Sequence, residues 1–165
     1  MTPDGRYRII MLPSRHLQDF DPMTATRSSA APLTSLAELI AGLSPRLDAT
    51  EYVFVQLDET ATMPMASEIL ASFRETEGTT LIMSRDRAAD LGLTPLLRCA
   101  RITLGVLSDL NAVGLIAAVS ARLAQAQIPV NVFSAIHHDH LFVPPQQASR
   151  ALELLREMAS AGTPA

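Results

Sequence analysis

From Leu33 onward the apolar residues follow a repeating order of periods: helix, two strands, helix, one strand alone, then helix, two strands and helix again. A motif used twice with a single strand between its copies leaves few ways to fold. A β-α-β-β-α-β unit needs a strand at each end, and the middle strand can close one copy while opening the next. The first helix is predicted from Ser35 and Glu38, spaced as a capping box, with Leu36, Leu39, Ile40 and Leu43 at helical spacing before Pro45. A strand follows at Glu51 to Leu57, where Val53, Val55 and Leu57 alternate with Tyr52, Phe54 and Gln56, as in a strand covered on much of both faces. A loop with a weak helical pattern at Ile69, Leu70 and Phe73 leads to a strand at Thr79 to Ser84 and a short helix closed by Gly92.

The lone strand is Leu97 to Val106, with Ile102, Leu104 and Val106 on one face and Arg101, Thr103 and Gly105 on the other. A long helix is predicted from about Leu110, striped by Ala112, Leu115, Ile116, Val119 and Leu123. Pro129 to Ile136 and His140 to Val143 form a hairpin, and a last helix opens on Pro145 and buries Ala148, Ala151, Leu152, Leu155 and Ala159. The expected class is α+β, with two ferredoxin-like units, each a four-stranded antiparallel sheet with helices on one face. The expected divisions are an extension at 1–32 (a strand at Tyr7 to Leu12, then a linker), a first unit at 33–96, a second at 97–160 and a tail at 161–165. Met23, inside the linker, is a candidate alternative start.

Composition removes whole classes of function. The net charge is −4 with no basic run, which argues against nucleic acid or an anionic membrane as partner. Every basic residue other than histidine is arginine, so Schiff-base chemistry, covalent pyridoxal phosphate and a Walker lysine are excluded, and no cofactor is expected. The glycines are scattered, and no phosphate cradle or nucleophile elbow can be drawn. Ala112 to Ala126, the most apolar segment, is broken by Ser120, Arg122 and Gln125 and is too short to span a bilayer. Cys99 is the only cysteine, so no internal disulfide can form; a soluble, cytoplasmic protein is expected, with Cys99 as a small core residue.

The chemistry-bearing positions gather in three places. The turn Ser108-Asp109-Leu110-Asn111-Ala112-Val113-Gly114 leads from the lone strand into the longest apolar helix. With Ser108 or Asp109 as N-cap, the first-turn N–H groups would seat a carboxylate, and Gly114 would let a ligand or a neighbouring strand approach closely. An amino acid would suit, its ammonium meeting Asp109 or strand carbonyls. The same letters also serve an ordinary capped helix with a packing glycine. The second place is His137-His138-Asp139-His140. Neighbouring side chains on a strand point to opposite faces, so these four cannot converge on one ion without an irregular turn. The stretch is expected to be a hairpin corner, with Asp139 making the turn, His138 and His140 bonding to it or to a nearby loop, and no metal. The third is Arg74 with Glu75 and Glu77 before Gly78, either a carboxylate clamp or an exposed turn. No catalytic set can be assembled from spacing.

Three separated motifs, FRETEG at Phe73 to Gly78, AVGLIAAV at Ala112 to Val119 and HDHLFVP at His138 to Pro144, resemble the ACT family, specifically its short free-standing tandem members of unassigned function. The resemblance covers about Leu33 to Met158 and implies the β-α-β-β-α-β fold already inferred. It further implies a non-catalytic regulatory module that binds a small effector, usually an amino acid, at an interface between ACT units, with a homodimer expected. On this chain the implied site faces the Asp109 to Gly114 turn toward the second strand of a neighbour, here Asn131 to Ile136 with Asn131, Phe133 and Ala135. The chain departs from the family pattern at Leu107 to Leu110 and at Ala135 to His137. Two rival functions remain at this stage: a plain interaction module, and a small metal-dependent enzyme using His137, His138 and His140.

Overall fold

The structure, a computed structural model, describes residues 32–58 and 60–162. The expected strand at Tyr7 to Leu12, the linker and Met23 lie outside them. The elements in chain order are α1 (Leu36–Ala41), β1 (Arg46–Leu57), a 3-10 turn (Ala66–Glu68), β2 (Ala71–Glu75), β3 (Gly78–Ser84), α2 (Arg85–Asp90), β4 (Leu97–Thr103), α3 (Leu115–Gln125), β5 (Asn131–Ser134), β6 (Asp139–Val143), a 3-10 turn (Pro145–Gln147) and α4 (Ala148–Gly162).

All strands of the described residues lie in one sheet of order β2-β3-β1-β4-β6-β5, and every neighbouring pair is antiparallel. From the centre outward each half places its first strand, then its third, then its second, the ferredoxin-like arrangement in both copies. The β4 strand closes one half beside β1 and opens the next beside β6, as the repeat predicts. The outcome differs from two separate four-stranded sheets, because β1 and β4 each serve both halves and the described strands merge into one six-stranded sheet.

The β2 strand is absent from the sequence-based reading. Four of its five residues, Ser72 to Glu75, are exposed, so no apolar alternation marks it. What forms it is the two-residue turn into β3, with Glu75 paired to Gly78. Gly78 has φ +137°, and a Cβ there would lie 2.4 Å from the Leu57 carbonyl oxygen, so only glycine lets β3 start this close to β1. The α1 helix forms where the stripe predicts, although the Ser35 side chain makes no capping bond. It packs against α3 and α4.

The helix-covered face of the sheet carries two apolar clusters. The larger joins Leu39 and Leu43 to Ile102 and Leu104, to Leu115, Val119 and Leu123 of α3, to Leu141 and Val143, and to Ala151, Leu154 and Leu155 of α4. The smaller sets Val53, Val55, Leu57, Leu81 and Met83 against Ala88 of α2. On α4, Leu154 occupies the fully buried place expected for Leu152, which is half-buried. The opposite face holds a third cluster, Tyr52, Ile82, Cys99 and Phe142, with Phe54, Ala71 and Phe133 against it, drawn entirely from strands. A flat sheet would leave these residues in water. Here Cys99 and Phe142 are 1% and 2% exposed, because the sheet curls and covers its own concave side.

Replacing Ile102, fully buried at the joint of the two halves, with alanine is expected to lower unfolding free energy by about 2–5 kcal/mol, whereas replacing exposed Leu110 with serine should change it by less than about 0.5 kcal/mol. Urea denaturation followed by circular dichroism checks both.

Candidate functional site

The turn from β4 into α3 is a long loop fastened to the segment before α1. Gly105, at φ +71°, lets the chain pass Ser44, whose carbonyl oxygen would lie 2.4 Å from any Cβ placed there. Leu33 then donates its N–H to Leu107 O and accepts one from Asp109 N, both at 3.1 Å, forming a short parallel bridge at Ser108. Asp109 caps its own turn, with Oδ1 accepting the Asn111 N–H at 2.7 Å and the Asn111 side-chain amide at 3.0 Å.

These bonds delay the helix, which was expected from about Leu110 with Ser108 or Asp109 as cap. It begins at Leu115, with Gly114 in the cap position at φ +104° and no side-chain capping bond. Its first helical bond runs from Ala118 N to Gly114 O at 2.9 Å, so the N–H groups of Leu115, Ile116 and Ala117 have no acceptor within the helix. Gly114 serves a different approach from the one expected. A Cβ on it would lie 3.2 Å from Leu36 Cδ2, so it makes room for α1. Around the helix start Leu110 is 69% exposed, Val113 83% and, in the β5–β6 turn, Ile136 71%, while Ala112 packs against the core.

The histidines divide. His138 Nδ1 lies 3.3 Å from Val106 O and ties the hairpin corner to the β4–α3 loop, while Ala135 donates to His138 O at 3.1 Å and closes the turn. Asp139 does not make the turn; it is the first residue of β6, 7% exposed, and its carbonyl accepts Leu104 N. His140 Nδ1 pairs with Thr103 Oγ1 at 3.0 Å. Burial, then the charges of Arg101 and His138, hold the His140 imidazole below its ordinary value, with Asp139 pulling the other way. Among the described residues no three His, Cys, Asp or Glu side chains come together as metal ligands.

On the concave face, β1 bulges between Leu47 and Glu51. The bulge sets the Asp48 carboxylate where it accepts from Thr50 N at 2.9 Å, from the Tyr52 hydroxyl at 3.1 Å and from Arg101 Nη2. Partial burial pushes Asp48 up, but these bonds outweigh it and hold the carboxyl below its ordinary range. The Arg101 guanidinium stacks 4.9 Å above the Tyr52 ring, with its Nε buried and unpaired. Cys99 donates to Tyr52 O at 3.4 Å, and burial pushes its thiol up to about 12, so it is an inert core group as expected.

Beyond this cluster an open groove of about 530 Å³ lies between the sheet's two outer strands, floored by Phe54 and Ile82 and flanked by Phe73 and Phe133. It contains Val132, Phe133 and Ser134 but none of Ser108 to Gly114, so within one chain the two halves of the expected site do not share it. Arg74 is exposed on β2 and borders a separate hollow with Leu57, Asp58 and Met63. Sequence reasoning missed the groove. Its one signal was the second apolar face of β1, carried by Tyr52 and Phe54.

The model of an ACT domain matches residues 31–100, and a second ACT-domain model matches residues 97–157. Among solved structures, a Vibrio cholerae protein of unknown function, described as a possible transport protein, is 38% identical, with 76% of this chain and 97% of that one covered and a TM-score of 0.65. An Agrobacterium tumefaciens protein (15% identity, 71% and 89% covered, TM-score 0.57) and the ligand-free regulatory subunit of aspartate kinase from Thermus thermophilus (10%, 71% and 97%, 0.55) share the fold. No curated protein matches the sequence.

Because folding depresses the His140 value, the unfolded chain binds more protons there, so stability should fall as pH drops below about 6.5 and hold above it. The variant His140→Gln should flatten the slope of unfolding free energy between roughly pH 7 and pH 5; an unchanged slope would show that His140 does not carry it.

Proposed function

The chain belongs to the ACT-domain family, with two such domains in tandem, and from that premise we propose that it is a cytoplasmic, non-catalytic sensor. Its effector is a small molecule, an amino acid, seated at the β4–α3 turn and covered by β5 of a second copy in a homodimer. ACT domains are regulatory modules that take effectors of this kind. The observation that carries the placement is the start of α3, where glycine stands in the cap position and no side chain among the described residues bonds the first-turn amides. Those donors and the helix dipole suit a carboxylate. Asp109, earlier in the same turn, is the counter-charge this reading assigns to an ammonium group, and the family resemblance brings Asn131, Phe133 and Ala135 of the neighbour opposite. Leu110, Val113 and Ile136, all exposed in one chain, are the apolar rim that a second copy would cover. The same exposed residues also favour a second reading, an association module that dimerises without an effector.

A thermal-shift screen against the twenty amino acids separates the two. Ligand at a hundred times its dissociation constant adds about 2.7 kcal/mol, so a true effector should raise the melting temperature by roughly 5–10 °C. Asp109→Ala should abolish the rise without lowering the melting temperature of the unliganded protein by more than about 3 °C, since its bonds are local to an exposed turn. No shift at millimolar amino acid, together with a dimer lost on Val113→Glu, would replace the sensor with the association module.

A further inference from the structure

The groove on the concave face is walled by main chain. Neighbouring residues of a strand point to opposite faces, yet Ser72 and Phe73 of β2, and Val132, Phe133 and Ser134 of β5, all border it in unbroken succession. Val132 packs its side chain into the core on the helix-covered face, so it meets the groove only along the strand's edge. Ser72 is paired with Leu81 of that same face, and the same argument applies to it. Among the described residues β2 and β5 end the sheet, each with one edge that no other strand pairs. The groove therefore offers two rows of backbone donors and acceptors across a floor of Phe54 and Ile82, with Phe73, 64% exposed, and Phe133 at its sides. Among the described residues the only charged one bordering it is Glu75, whose carboxylate accepts from the Thr80 hydroxyl and has a second oxygen to offer.

We propose that this groove binds an extended peptide, which adds as a strand to the edge of β2 that no other described strand pairs, lays alternate apolar side chains on Phe54 and Phe73, and directs a basic residue at Glu75. The walls decide between this ligand and a compact apolar molecule. Apolar floors suit both, but only a ligand with its own peptide groups satisfies a row of main-chain donors and acceptors along a strand edge. The groove takes Phe133 from β5, the strand that the proposed dimer would set over its neighbour's β4–α3 turn, so the peptide is placed on β2, which that reading does not use.

The probe is a fluorescein-labelled peptide alternating valine and threonine with an arginine at each end, about seven residues long, enough to span β2 at ~3.3 Å per residue. Fluorescence anisotropy with the full chain should give saturable binding. A version N-methylated on alternate residues, which loses main-chain donors, should bind at least tenfold more weakly, and so should the protein variant Phe73→Ser. Phe73 is exposed, so this variant keeps its fold, as circular dichroism will report. Glu75→Gln should weaken binding several-fold in low salt and little in high salt. Equal affinity for the N-methylated peptide overturns the proposal, as does absence of binding at millimolar peptide. It is overturned in favour of a small apolar ligand if 1-anilinonaphthalene-8-sulfonate binds in a manner lost in Phe73→Ser while the peptide does not. It is overturned in favour of a second copy if sedimentation shows a dimer that Phe73→Ser dissociates and peptide cannot.

Discussion

The pairing of β1 with β4 is the contact on which everything else in this fold depends. Each strand is the first of its half, and each takes the place that a fourth strand would fill in the other half, so neither half has a complete sheet alone. Separated, each would expose one edge of its longest strand, and the concave-face residues that pack across the joint would lose their cover. Val53, Val55 and Ile102 are buried under the helices, and Tyr52 and Cys99 on the far side, so the pair is desolvated on both faces. At about 25 cal/mol per Å² such burial exceeds what any surface ion pair in the chain contributes. The two ACT units thus share one sheet, and α1 packs with α3 and α4 in the larger apolar cluster.

Curvature follows from the same pair. The β1 bulge at Asp48 sharpens the local twist, and the aromatic residues that line the inside complete the curl. Tyr52 and Phe54 both meet Phe142 edge-on, at 6.2 Å and 5.5 Å between ring centres, so the concave face packs ring edge against ring face across three strands. Arg101 closes the row. Its planar guanidinium can stack on Tyr52 while bonding Asp48, a combination that a lysine ammonium would not supply. The convex side carries the helices and the β4–α3 turn, and the concave side carries the groove, so the molecule has two chemically different faces built on one sheet.

Much of this was legible in the order of periods. The repeat, the double use of the Leu97 to Val106 strand, the helix stripes and the buried Cys99 all depend on alternation that burial imposes directly on residue type. What was not legible depended on exposure or on distant backbone. The β2 strand shows no apolar period because four of its five residues are exposed. The late start of α3 is set by Leu33, some seventy-five positions away, which bonds Leu107 and Asp109 and holds the loop out of helical conformation. Gly114 was legible as a site of close approach, but not as one made by α1. Asp139 was expected at the hairpin corner because aspartate favours turns; the pairing of Ser134 with Asp139 places it in the strand instead.

The β6 strand is the element the two faces share. At its start the hairpin corner is tied through His138 to Val106, in the loop that leads to α3, and His140 is bonded to Thr103. Two residues further on, Phe142 forms the floor of the concave face against Tyr52 and Phe54. Because β6 is five residues long and pairs on both sides, with β4 and with β5, it cannot shift at one end and stay in place at the other without breaking its register. A displacement of the β4–α3 loop that pulled on His138 would therefore be carried to Phe142 as a movement of the whole strand. No β6 residue lines the groove itself, so the link that β6 provides runs from the hairpin corner to Phe142 and through its ring contact to Phe54, which floors the groove.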